Sequence, residues 1–297
     1  MYPRSFQYHR AGSLREASEM LSQLGEEARI LAGGQSLIPL MKLRFANPEH
    51  LVDLSFVPET AYIRQENGAL HFGAMTRHAQ VESSDVAAKI PIVHDCAAGI
   101  ADVQIRNRGT MGGSLAEADP SGDWATVLST LQTDVVCAGP DGERTLPLQE
   151  FILDAYTTAL APAELVREVI VHMPAANSGG AYLAFKRSAP VYPTASAAAQ
   201  VTMQGDVCED AKISLGCVGL MAIRATQAED AIRGQRITDE VLERVAEAVR
   251  SAAEPQTDMR GSAEYKRTLV AALAKRAVRV AERRARGEHV EVHHIYA

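Results

Sequence analysis

Two glycine pairs constrain this chain more than any other feature. Gly33-Gly34 lies in LAGGQSLIPLMKLR, and Gly112-Gly113 lies in RNRGTMGGSLAEADPSGD. Glycine lets a backbone come close to a neighbour or a ligand and adopts positive φ without strain. Each pair leads into a segment able to form a helix, and the first follows a short apolar run that reads as a buried strand. Consecutive backbone N–H groups in such a turn form a concave nest for an anion, aided by a helix start. Ser36, Thr110 and Ser114 add hydroxyl donors. Two nests on two lobes, facing one another across a cleft, would hold a diphosphate. Either pair alone is equally well read as a tight turn, because Gly-Gly is a common punctuator. Neither belongs to a G-x-G-x-x-G fingerprint, which needs a third glycine, nor to a P-loop, which needs a lysine.

The surrounding pattern is mixed α and β. SLREASEMLSQLG has capping-box spacing at Ser13 and Glu16, an apolar stripe at Leu14, Ala17, Leu21 and Leu24, and a glycine stop. Ala28 to Ala32 reads as a strand. Ser36 is placed to cap a helix over LIPLMKLRF, with Pro39 in its first turn. HLVDLS closes this small lobe. AYIRQENGALHFGAMT reads as a hairpin about Asn67-Gly68, and DVVCAGPDGERTLPL as another about Asp141-Gly142. The stretch between Val103 and Asp123 reads as a long glycine-rich loop, of the kind that is functional when it sits inside a compact domain. NSGG, Asn177 to Gly180, reads as a linker. AYLAFKRS, TASAAAQVTM and DAKISLGCVGLMAI alternate as antiparallel strands, and two helices follow, over Thr238–Ala253 and Ser262–Arg286.

Composition narrows the class. The 297 residues carry a formal charge of -7, with 46% hydrophobic and 23% charged residues. That is an ordinary globular balance, and its acidity argues against general nucleic-acid binding. No apolar run reaches the ~20 residues a membrane span needs. The N-terminus, MYPRSFQYHR, lacks an apolar signal region, so a cytoplasmic location is expected. The four cysteines (Cys96, Cys137, Cys208 and Cys217) form no C-x-x-C pair and suit buried, reduced thiols. His289, His293 and His294 cluster at the C-terminus without an ordered frame, so no metal site is assigned.

LAGGQSLIPLMKLR together with QIRNRGTMGGSLAEADPSGDWATVLSTL, and the tail DMRGSAEYKRTLVAALAKRAV, resembles the FAD-binding medium subunit of the molybdenum hydroxylases. That family includes the carbon monoxide dehydrogenase medium subunit and the xanthine dehydrogenase flavin domain. The resemblance spans nearly the whole chain. It implies an α+β fold. A two-lobed FAD-binding domain of the PCMH (vanillyl-alcohol-oxidase-like) type occupies 1–176, with lobes 1–55 and 56–176. A C-terminal α+β domain with a three-stranded antiparallel sheet and helices occupies 177–297. It also implies a role: FAD on this chain would take electrons from 2Fe–2S clusters on a partner and pass them to an external acceptor. The molybdenum–pterin cofactor would sit on a large subunit and two 2Fe–2S clusters on a small one, in a heterotrimer or a dimer of heterotrimers. A stand-alone FAD-dependent oxidoreductase is the competing expectation. The substrate and the acceptor stay open.

Carried over residue by residue, the resemblance implies that Leu31, Ala32, Gly33, Gly34, Gln35, Ser36 and Leu37 wrap the diphosphate. Thr110, Met111, Gly112, Gly113 and Ser114 would close on it and on the ribityl chain. Asp123 would accept from sugar or ribityl hydroxyls; otherwise it caps the helix over WATVL. Lys186 would lie near the flavin ring, or else be an exposed strand lysine. Tyr192 would face the flavin, although Val191 stands where relatives often have an acidic residue. Ile100 and Val166 would be apolar neighbours. Arg106 and Arg108 flank the second turn as counter-charges or as loop cations, and the basic helix end Ala272–Arg286 suits either its own helix dipole or an acidic partner. No catalytic acid or base and no metal ligand is expected on this chain.

Overall fold

A computed structural model describes residues 2–293 and, in backbone only, 295–296. The chain forms two compact units that do not follow sequence order. One comprises residues 1–86, 103–118 and 133–171; the other comprises 87–102, 119–132 and 172–297.

The first unit holds two sheets. Gln7–Arg10, His50–Asp53 and Ala28–Leu31 form a parallel sheet with His50–Asp53 at its centre. Helix Leu14–Leu24 is capped as its sequence requires: Ser13 accepts from the Glu16 N–H, and Gly25 ends it at φ 61°. Its apolar stripe packs Leu14 and Ala17 against Val52, Leu54, Val57 and Leu165. The second sheet runs Ile63–Glu66, Ala69–Gly73, Leu165–His172, Thr133–Gly139, Gly142–Pro147. Both expected hairpins are present, although the second turns on Pro140 and Asp141, with Gly142 already paired to Gly139. Asn67 and Gly68 take φ of 49° and 76°, the left-handed pair that a two-residue hairpin turn demands.

The second unit is built on a sheet ordered Ile223–Arg224, Val207–Gly216, Ala195–Gln204, Ser178–Lys186, Ile295–Tyr296. The three long strands are antiparallel, as the sequence alternation indicates; the two-residue strands at each edge were not legible. One face carries Leu183, Ala197, Ala199, Val201, Ile213 and Leu215 against helices Asp239–Ala252 and Ala263–Ala285. A further helix, Thr226–Ile232, lies in a stretch to which no element was assigned.

Two expectations fail here. NSGG is not a linker, because Ser178, Gly179 and Gly180 begin a nine-residue strand. A Cβ on Gly179 would stand 2.2 Å from the Ala281 carbonyl, so the glycine is there to let the long helix lie directly on the strand. The stretch from Val103 to Asp123 is not one long loop. It contains helices Val103–Arg106 and Met111–Glu117, the second capped by Thr110 and ended by Ala118 at φ 49°.

Candidate functional site

The two glycine turns meet, within the first unit. A Cβ on Gly33 would lie 2.2 Å from the Arg108 carbonyl oxygen and 2.8 Å from Gly109 Cα. One on Gly113 would lie 3.6 Å from the Ala32 Cβ. The turns are therefore packed directly against each other.

Their hydrogen bonding differs sharply. In the first turn, the N–H groups of Gly33, Gly34, Gln35, Ser36 and Leu37 find no acceptor among the described residues. Gly34 takes φ of 74°, and its carbonyl accepts from Ile38, which leads into helix Leu37–Leu43. Ser36 occupies the cap position, but its side chain makes no capping bond, contrary to the expected role. In the second turn four of the five amides are used, and only that of Thr110 finds no acceptor among the described residues. Met111 donates to the Thr76 carbonyl, Gly112 to Ala74, Gly113 to Thr110 Oγ1 at 3.2 Å, and Ser114 to the Thr110 carbonyl. The second turn thus offers no row of open amides like that of the first. Gly112 is there because a Cβ would stand 2.5 Å from the Ala74 Cβ.

Beneath the second turn lies His78, whose ring would come within 2.7 Å of a Cβ on Gly109. Burial first, and the nearby Arg106 second, lower its pKa to about 4. Arg106 itself pairs with Glu82 at 2.7 Å, so it serves the fold here. Val166 is buried opposite Cys137 in the second sheet of this unit, beside a bulge.

The remaining candidates belong to the second unit. Asp123 is buried, and its Oδ1 accepts from the Tyr182 hydroxyl at 2.5 Å. It is not the helix cap: Gly122 holds that position, and Asp123 is the first helical residue. Lys186 is not an exposed strand lysine. It is fully buried, and its ammonium donates to the carbonyl of Gly99, the last residue of helix Pro91–Gly99. That carbonyl is one that the helix leaves without an internal donor. Ile100 follows it and is buried. Tyr192 is 40% exposed, with the Arg260 guanidinium 5.6 Å from its ring centroid. Tyr182, Arg260 and the Arg108–Gly109 backbone were missed from the sequence. For Tyr182 a signal existed, because it shares a strand face with Lys186 at period two.

Other sequence features are absorbed by the fold. The four cysteines are free thiols, and burial raises those of Cys96 and Cys217, with Asp123 as the next contributor to each. Most of the basic helix end is paired within the chain: Lys275 with Glu243, Arg279 with Asp239, Arg283 with Glu288, Arg284 with Asp95 and Arg286 with Asp206, while Arg276 is exposed. His289 and His293 are exposed beside Glu291, and His294 lies outside the described residues. No helix among the described residues is long and apolar enough to cross a membrane.

A row of open amides on a glycine turn, packed against a second turn in an α+β unit, defines a nucleotide-binding class without Rossmann or P-loop chemistry. Residues 4–174 match the FAD binding domain in molybdopterin dehydrogenase, and residues 180–281 match the CO dehydrogenase flavoprotein C-terminal domain. The chain belongs to this family of FAD-binding medium subunits of molybdenum-containing dehydrogenases. It is 38% identical to the carbon monoxide dehydrogenase medium chain of Hydrogenophaga pseudoflava over 95% of this chain and 98% of that one. It is 37% identical to the 6-hydroxypseudooxynicotine dehydrogenase complex subunit alpha of Paenarthrobacter nicotinovorans, over 96% of this chain and 97% of that one. In structure it is similar to the Cu,Mo-CO dehydrogenase, with a TM-score of 0.92 at 38% identity over 96% of this chain and 100% of that chain.

Proposed function

We propose that this chain binds FAD and is the electron-transfer component of a multi-subunit molybdenum dehydrogenase. The observation that carries the reading is the run of five open amides from Gly33 to Leu37, the donor set that diphosphate oxygens require. Bound FAD supplies the capacity to handle one electron or two. The chain's own residues do the holding. Leu31 and Ala32 carry the strand into the turn, and Gly33, Gly34, Gln35, Ser36 and Leu37 donate N–H groups. Thr110, Met111, Gly112, Gly113 and Ser114 form a rigid wall beside them. With four of its five amides already engaged, this wall contributes shape, the Thr110 N–H and the Ser114 hydroxyl. Asp123 accepts from hydroxyls of the sugar or ribityl chain. Ile100, Val166, Lys186 and Tyr192 are proposed as neighbours of the cofactor, on resemblance.

In this reading 1–176 and 177–297 are the units of descent, with a further division after 55. The partners are a large molybdenum–pterin subunit and a small subunit with two 2Fe–2S clusters, in a cytoplasmic heterotrimer or its dimer. Isolation of the native complex tests it. The expected preparation is yellow, releases FAD, and contains both partner subunits. A colourless chain that ignores added FAD would sink the reading.

A further inference from the structure

Tyr182 stands at the centre of a buried chain of hydrogen bonds that ends on Asp123. Its side chain is fully buried on strand Ser178–Lys186. Its backbone N–H donates to Asp95 Oδ2 at 3.2 Å. Arg284, from the long helix, grips both oxygens of Asp95 at 2.6 and 3.0 Å, and also donates to the Gly180 carbonyl at 2.7 Å. The strand is thereby fixed to helix Pro91–Gly99 and to helix Ala263–Ala285 at the position that carries the phenol. The hydroxyl then reaches a third helix, donating to Asp123 Oδ1 at 2.5 Å.

Asp123 has no other hydrogen-bond partner among the described residues. The residue is 6% exposed, and Oδ2 is not among the buried side-chain oxygens without a partner, so it reaches the surface, open to a further donor. Lys186 does not supply one, since its ammonium is turned to Gly99. We propose that Tyr182 is a positioning residue: its hydroxyl locks the Asp123 carboxylate in one rotamer, leaving Oδ2 to accept from a hydroxyl of the cofactor's polyol chain. Burial, then the Asp123 charge, raise the phenol's pKa well above its ordinary value, so it stays a donor at any working pH. The inference rests on the reading of Asp123 as a cofactor contact.

The test is FAD affinity of the full chain in a two-by-two set: parent, Tyr182→Phe, Asp123→Ala and both together. Tyr182→Phe keeps the ring and its packing, and should weaken FAD about tenfold, the loss typical of a hydrogen bond to a charged group. In the Asp123→Ala background the same change should cost nothing further. A merely structural tyrosine would weaken FAD equally in both backgrounds, and that result overturns the proposal. So does Tyr182→Phe binding FAD as the parent does while Asp123→Ala binds it poorly. Should Tyr182→Phe fail to fold, 2,3-difluorotyrosine at 182 keeps the hydroxyl and strengthens it as a donor; unchanged FAD affinity there also overturns the proposal. If Asp123→Ala binds FAD like the parent, Asp123 is no ligand and the proposal falls, with the flavoprotein reading intact. A parent chain that binds no FAD removes both.

Discussion

The two glycine turns look interchangeable in sequence and are not interchangeable in the folded chain. GGQSL leaves five amides open; TMGGS spends all but that of Thr110, on Ala74, Thr76 and the Thr110 cap. The first is a donor array, and the second is a surface against which that array is held. Glycine serves the two differently as well. Gly33 and Gly112 are demanded by the protein's own backbone, at 2.2 Å from the Arg108 carbonyl and 2.7 Å from the Ala74 Cα, before any ligand arrives. A glycine beside a binding site is therefore no proof of contact with a ligand.

That contrast can be broken at its hinge. Gly33→Ala puts a Cβ into the Arg108 carbonyl, which cannot move as a side chain would. We expect a loss of about 3 kcal/mol or more in urea unfolding, together with loss of FAD binding. A variant as stable as the parent would mean that the turns are not packed as described.

The support beneath the second turn should respond to pH. His78 is held neutral by burial, with a folded pKa of about 4 against an ordinary 6.5. The unfolded chain therefore takes up the proton first. This contribution to stability is complete above pH 6.5 and is lost as pH falls from there toward 4, up to about 3 kcal/mol. His78→Leu should flatten that slope in chemical unfolding measured between those limits. An unchanged slope would assign the acid sensitivity elsewhere.

Smaller effects sharpen the comparison. Gly113→Val would test the second turn, but not through FAD contact alone. The structure puts a Cβ there 2.7 Å from Thr110 Oγ1, so a side chain at 113 also disrupts the cap. Gly113→Ala and Thr110→Ala should each cost about 1 kcal/mol in thermal unfolding, as lost caps do. Ser36→Ala should be the mildest, under about 0.5 kcal/mol, because the hydroxyl caps nothing. A fall in FAD affinity in that variant would then report on binding alone.

Much of the fold was legible. The first helix, both hairpins and the three long strands were written in capping residues, Asn-Gly and Asp-Gly turns, and period-two alternation. What failed has a common cause. Gly179 and Gly180 looked like a linker because glycine is read as punctuation; here Gly179 makes room for a helix more than 100 residues later in the chain. Val103 to Asp123 looked like a loop because its helices are only four and seven residues long, too short for periodicity to show. For the candidate site, residue types were readable and partners were not. Nothing in the sequence says that Asp123 meets Tyr182 or that Lys186 turns to Gly99, since each contact joins separate segments brought together by the sheet.

The interleaving of the two units also sets an order of assembly. Helix Pro91–Gly99 leaves the ribosome before strand Ser178–Lys186 on which it rests, and helix Asp123–Leu128 before strands Ala195–Gln204 and Val207–Gly216 on which it rests. At about 5–20 residues per second, the apolar surfaces of Ile92, Val93, Cys96, Trp124 and Val127 wait roughly several seconds for their cover. Nor can the first unit close early, because its sheet lacks a central strand until Leu165–His172 has been made. The nascent chain must therefore carry both units unfinished, and neither is a contiguous piece that could be expressed alone.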